Sequence, residues 1–141
     1  MSLKFWDASA LVPLCVLEKS TPDVRDLIDA SPLIVWSLSR VEVVSAIERR
    51  ARERVLSSSG RSRALSTLAS LHKSWVEIGG STMVEETAIR ILATHVLRAA
   101  DALQLAAAIA ASEGSPLGSA FVCVDARLGK AAALEGFRIL P

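Results

Sequence analysis

Four carboxylates stand at the edges of apolar segments: Asp7, Glu42, Asp101 and Asp125. Asp7 closes Leu3-Lys4-Phe5-Trp6, and Glu42 opens the run from Val41 to Ile47. Asp101 heads Ala102-Leu103-Gln104-Leu105-Ala106, and Asp125 closes Phe121-Val122-Cys123-Val124. An acid at the end of a buried strand is costly unless something positive meets it. Two carboxylates about 4 Å apart repel by roughly 4 kcal/mol at an effective dielectric near 20. Four in one pocket would raise each other's pKa or demand a counter-charge. If they converge, the expected guest is a divalent cation and the expected chemistry is on phosphate. Oxygen donors without His or Cys suit Mg²⁺ or Mn²⁺. His72 and His95 have no partner at ligand spacing, which argues against zinc. Neither Ser9 nor Cys15 has a His partner, so no covalent nucleophile is implied.

Each acid also has a structural reading. Ser39-Arg40-Val41-Glu42 is a capping-box pattern, with Glu42 placed to return a bond to the cap. Asp101 can favour a helix N-terminus through the dipole. Asp125 can cap a helix from Ala126, and Asp7 can start a turn.

The elements that would position these acids follow from the pattern of the chain. Short apolar runs at 3–6, 33–36, 75–78, 120–124 and 137–140 read as strands. Helical segments are expected over about 9–17, 21–30, 39–56, 61–72, 83–94, 98–111 and 126–134. Ser9 is the expected cap of the first, Thr21-Pro22 starts the second, and Ser81 or Thr82 caps the fifth. Apolar strands alternating with helices argue for an α/β fold: a five-stranded parallel sheet flanked by helices on both faces. Ligands of such sheets bind beyond the carboxyl ends of the strands. That rule puts Asp7, Glu42 and Asp125 on one edge and leaves Asp101 to be brought there by its helix.

Length and composition set the frame. The chain has 141 residues, 51% of them apolar, with a net charge of +1. One domain, 1–141, with one sizeable core is expected. No apolar run is long enough to span a bilayer. No charged n-region and h-region precede the first strand, so a cytoplasmic protein is expected. Cys15 and Cys123 form no metal-type pair and are expected as reduced, buried thiols. The near-neutral charge means that any polyanion site must be local.

Taken together, four segments resemble the motifs of PIN-domain ribonucleases, and most closely the VapC-type toxins of toxin–antitoxin pairs. Phe5-Trp6-Asp7-Ala8-Ser9-Ala10-Leu11 resembles the opening Asp-x-Ser-Ala motif. Ser39-Arg40-Val41-Glu42 resembles the segment carrying the second acid. Ala100-Asp101-Ala102-Leu103-Gln104-Leu105-Ala106 resembles the Asp-Ala-Leu-x-Leu-Ala signature, and Phe121 to Leu128 the final strand and acid. Each motif alone is weak; four in the right order along nearly the whole chain are specific. The resemblance implies a PIN-like fold and a metal-dependent endoribonuclease using Asp7, Glu42, Asp101 and Asp125 with Mg²⁺ or Mn²⁺. Asp7 and Asp101 would be the direct ligands. Glu42 and Asp125 would bind directly, through water, or orient the attacking water. Ser9 matches the hydroxyl beside the first acid. Two positions depart: Cys123 stands where Thr or Ser is frequent, and Gln104 where His is frequent. Gln104 receives no role.

An RNA substrate needs local positive charge. Arg40, Arg98 and Arg127 flank the acids and can contact phosphates or pair with the acids themselves. Arg49, Arg50, Arg52 and Arg54 read first as a solvated face alternating with Glu48 and Glu53. Trp6, Trp36 and Trp75 read as core. The resemblance also implies a homodimer and an inhibiting antitoxin that sets an Arg or Lys near the acids. The helices over 22–30 and 41–56 are candidate faces for either. An alternative is a non-catalytic PIN scaffold that binds RNA or a protein. A phosphatase with a strand-end Asp nucleophile is a further one, disfavoured because Ser9 stands where its second acid is needed.

Overall fold

A computed structural model describes residues 3–141. Five short strands form one all-parallel sheet: β1 (Lys4–Trp6), β2 (Ile34–Trp36), β3 (Val76–Ile78), β4 (Ala120–Val122) and β5 (Arg138–Leu140). Their spatial order is β3-β2-β1-β4-β5. From β1 the chain builds outward to β3 on one side, then returns to build β4 and β5 on the other. The order therefore reverses between β1 and β4, where Phe5 pairs with Phe121 and Trp6 with Val122. In open α/β sheets the crevice at such a reversal is the usual ligand site.

Strand side chains alternate between two cores. Phe5, Trp36 and Phe121 face a layer of α5 (Thr82–Thr94), α6 (Ala99–Ala111) and α7 (Ala126–Leu134). Trp6, Val35 and Val122 face α1 (Ala8–Cys15), α3 (Ser39–Arg52) and α4 (Ser58–Ser74). All three tryptophans are buried, as core readings require. The sheet-facing side of α6 carries Ala102, Leu105, Ala106 and Ala108, all fully buried. Small side chains there let the helix lie close against the sheet and bring its first turn to the sheet's carboxyl edge.

Several helix ends differ from expectation, for identifiable reasons. Ser9 does not cap α1; Asp7 does, its Oδ2 accepting the Ser9 N–H at 3.1 Å. The helix expected over 21–30 is only α2 (Thr21–Arg25). Lys4 Nζ takes the Leu27 carbonyl and the Asp29 carboxylate, each at 2.6 Å, and Asp29 Oδ1 accepts the Ser31 N–H. Those bonds divert the backbone before Pro32. Thr21 caps nothing of its own; its hydroxyl donates to the Pro13 carbonyl at 2.7 Å, closing the end of α1. Helix α3 stops at Arg52 because Arg54 turns left-handed (φ 58°). Helix α4 starts three residues early, capped by Ser57 on the Gly60 N–H. Cys15 is only partly buried, whereas Cys123 is buried; both are free thiols. Among the described residues, no helix is long and apolar enough to cross a membrane.

Candidate active site

The four acids come from four different elements. Asp7 follows β1 directly. Asp125 lies three residues past the end of β4 and caps α7, its Oδ1 accepting the Leu128 N–H at 3.1 Å. Strand β4 stops short of the expected Val124 because Ser9 Oγ takes the Val124 N–H at 3.1 Å. Ser9 thus stitches the first turn of α1 to the loop after β4, rather than serving as a helix cap. Glu42 and Asp101 stand in the first turns of α3 and α6. All four acids, with Ser9, line one hollow of about 410 Å³ at the carboxyl edge of the sheet. Asp125 is the cap expected, and Asp7 takes the cap expected of Ser9; neither excludes a second use, because each cap employs one carboxylate oxygen.

The capping box expected at Glu42 is not formed. Position 38, not Ser39, is the cap of α3, and it makes no side-chain cap bond. Ser39 is buried, and its Oγ accepts from Gln104 Nε2 at 2.9 Å. The same Nε2 donates to Glu42 Oε1 at 3.1 Å. Gln104 is the residue that reasoning from sequence missed. One signal was present: Ser39 and Glu42 are three apart on one helix, and Asp101 and Gln104 three apart on another, so each pair shares a face.

Burial and like charge load the site electrostatically. Asp7, 3% exposed, has its pKa raised to about 6, first by burial, with the Asp101 charge adding to it and bonds from Ser9 opposing. Glu42 is raised to about 7, mainly by burial, with Asp7 and Asp101 adding and the Gln104 bond opposing. Asp101 is raised by burial and by Asp125, against the pull of Arg98 and Arg127. None of the four makes a salt bridge among the described residues. The Cys123 thiol sits behind them, donating to the Asp125 carbonyl at 3.2 Å and lying 3.8 Å from Asp7 Oδ2. Burial first, and Asp7 next, push it up to about 12, so it is a neutral thiol where a hydroxyl is frequent in the family resembled.

A second hollow of about 930 Å³ opens from the first, sharing Glu42, Arg49, Asp101 and Asp125. Arg98 and Arg127 line it; Arg40 is exposed and lines neither. The solvated-face reading of the α3 arginines holds at Arg49, which is exposed, and needs correction at Arg50, which is half-buried and paired. Arg49 lines both hollows, and Arg50 lines the first while bonded to Glu18 at 2.5 Å. Arg49 lies seven residues after Glu42, two turns along the same face, which is the spacing that could have marked it.

The donor set fits a hard cation: oxygen ligands only, with a demand for positive charge that no Lys or Arg contact meets. Among the described residues, no three His, Cys, Asp or Glu side chains are grouped tightly enough to hold a metal ion directly. The histidines are engaged elsewhere, His72 with Glu77 at 3.4 Å and His95 with Glu135 at 2.7 Å.

No family model matches the chain. Two curated relatives do: Ribonuclease VapC45 of Mycobacterium tuberculosis (strain CDC 1551 / Oshkosh) and Ribonuclease VapC49 of Mycobacterium tuberculosis (strain ATCC 25618 / H37Rv). Each is 32% identical over 149 aligned residues, covering 100% of this chain and 96% of the relative. The crystal structure of PAE2754 from Pyrobaculum aerophilum superposes with a TM-score of 0.65 at 19% identity, over 98% of this chain and 89% of that one. That last likeness concerns the fold. Identity of this degree along the full length means that the chain belongs to the VapC family of PIN-domain ribonucleases, the family its four motifs resemble.

Proposed function

We propose that this chain is a metal-dependent endoribonuclease, the toxin of a toxin–antitoxin pair, working as one cytoplasmic PIN domain through Asp7, Glu42, Asp101 and Asp125. The observation that carries the reading is the meeting of four acids from four elements in one hollow, at the strand-order reversal, with no salt bridge to any of them among the described residues. The ribonuclease names of the two relatives support the substrate class.

Asp7 and Asp101 would hold a Mg²⁺ or Mn²⁺ ion, with Asp125 and Glu42 completing the set of oxygens. Mg²⁺ gives up its waters reluctantly, which suits four acids that do not close tightly round one point. When bound, the ion supplies charge neutralisation at the phosphate and acidifies a water. Glu42, whose pKa is raised by burial in the metal-free chain, would bind the ion directly, bind it through water, or orient the attacking water. The capping bonds on Asp7 and Asp125 fix the direction of their remaining oxygens. Ser9 ties the first turn of α1 to the loop that bears Asp125 and keeps the Asp7 carboxylate oriented through its own N–H. Arg98, Arg127 and Arg49 surround the adjoining hollow and would contact the phosphates on either side of the scissile bond. Arg40, exposed and outside both hollows, would contribute least.

An antitoxin presenting an Arg or Lys to the acids would meet the same unmatched charge, which accounts for inhibition in the pair. The homodimer implied by the resemblance belongs to the same proposal. Exposed apolar side chains lie on α5, at Met83, Ile89 and Leu92, as well as on the segments expected to dock, at Ile28, Val41 and Val55.

The test is cleavage of a mixed RNA pool by purified protein with Mn²⁺, with EDTA, and with Asp7→Asn or Asp101→Asn. Cleavage is expected only with the metal and only in the wild type, a loss of at least about 10²-fold in each variant. Full activity of either variant would exclude this site. RNA binding without cleavage under every metal condition would favour the scaffold reading.

A further inference from the structure

Gln104 reaches the site only through another residue. It is 1% exposed, too deep to touch a substrate. Its Nε2 spends both hydrogens on the start of α3: Ser39 Oγ at 2.9 Å and Glu42 Oε1 at 3.1 Å. Asp101 lies one turn before it on α6, facing the hollow. A single amide therefore spans two helices and sets the acid of one relative to the acid of the other.

The far end of the amide is left bare. Gln104 Oε1 is buried and has no hydrogen-bond partner among the described residues. A group whose only task was to fill space there would be apolar, because a bare buried oxygen is a cost that Leu or Met avoids. Turning the amide round would not relieve it. That would set Oε1 against the ionised Glu42 carboxylate, oxygen facing oxygen, and leave Nε2 bare in its place. The orientation observed is the one that serves Glu42. Ser39, itself fully buried, fixes the plane of the amide as its second acceptor.

We propose that Gln104 is a positioning residue for Glu42: its amide holds the carboxylate in the hollow beside Asp101, and Ser39 steadies the amide. This rests on the reading of Glu42 as a site acid.

The test uses Gln104→Met, similar in length but without a donor, in the wild type and in a Glu42→Ala background. Three quantities are followed: Glu42 side-chain rotamers by NMR in metal-free protein, Mn²⁺ affinity by calorimetry, and RNA cleavage. In Gln104→Met, Glu42 is expected to pass from one rotamer to an average of several. Mn²⁺ affinity and kcat each fall about tenfold, with KM for RNA unchanged. In the Glu42→Ala background the same substitution changes neither affinity nor rate further, because its effect runs through the absent carboxylate. Should Gln104→Met fail to fold, Gln104→Asn keeps the amide but is too short to reach both acceptors, and the same losses are expected. A Glu42 side chain that keeps its single rotamer, or equal losses in both backgrounds, overturns the proposal. Wild-type protein that neither binds Mn²⁺ nor cleaves RNA sinks the ribonuclease reading instead. The rotamer measurement, made without metal or RNA, still decides for Gln104.

Discussion

Asp7 gives one oxygen to the helix it starts and is left with a buried charge that nothing nearby neutralises. Its pKa is about 6 in the folded chain, against an ordinary value of 3.8. Between those values the folded state keeps a proton that the unfolded state has lost. Metal-free protein should therefore be most stable below about pH 4 as far as this group is concerned, and lose that stability as pH rises through 6. Two units correspond to at most about 3 kcal/mol. Glu42, raised to about 7, acts in the same direction and extends the loss toward neutral pH, with a smaller effect because it is partly exposed. Asp29, Glu48 and Glu135 have lowered pKa values and act oppositely, but only at more acidic pH. Urea unfolding in EDTA should show lower stability at pH 7.5 than at pH 5, with the difference reduced in Asp7→Asn. Equal stability at the two pH values would contradict this account. Mn²⁺ should restore stability at pH 7.5 by mass action. At this scale the sequence was readable where an acid followed an apolar strand. It misled where two partners lay on different helices: Ser39 and Glu42 look like a capping box until Gln104, 62 residues beyond Glu42, claims both. Long-range pairing of that kind leaves no local signature.

The strands and helices themselves were legible because alternation of apolar runs and amphipathic segments survives in the sequence of a small α/β fold. Their ends were less so, since tertiary bonds decided them. Thr21 shows this. The Thr-Pro pair reads as a helix start, and a short helix does start there, yet the hydroxyl serves the preceding helix. It donates to the Pro13 carbonyl at 2.7 Å and accepts the Glu18 N–H at 2.8 Å. Thr21→Val keeps the shape and removes both bonds at a fully buried position. The expected cost is about 1–3 kcal/mol, seen as a fall of several degrees in Tm by calorimetry. Cleavage well below Tm should be unchanged, because Thr21 itself lines neither hollow. In the same way Lys4 ends the turn after α2 by taking a carbonyl and Asp29 together, a contact across 25 residues that no window of sequence contains.

At the scale of the molecule, the parallel sheet was foreseeable, and with it the edge on which the acids would gather. The strand order was not, and it is the order that turns an edge into a crevice by placing β1 and β4 side by side. The charge of the chain is distributed to match. Its net charge of +1 conceals an acidic hollow bordered by Arg49, Arg98 and Arg127. If those arginines meet RNA phosphates, their contribution must depend on salt, since each contact releases counterions from the strand. Arg98→Ala and Arg127→Ala should raise KM for RNA severalfold and leave kcat nearly unchanged, because neither side chain makes a salt bridge to the acids among the described residues. Each should also lower the slope of log affinity against log salt by about 0.7, the value for one phosphate contact on a single strand. Arg40→Ala, outside both hollows, should alter neither quantity. The decisive comparison is titration of a short single-stranded RNA with metal-free protein from low to moderate salt. A slope unchanged by Arg98→Ala and Arg127→Ala together would remove the second hollow from the path of the substrate and leave the acids to be approached from another side.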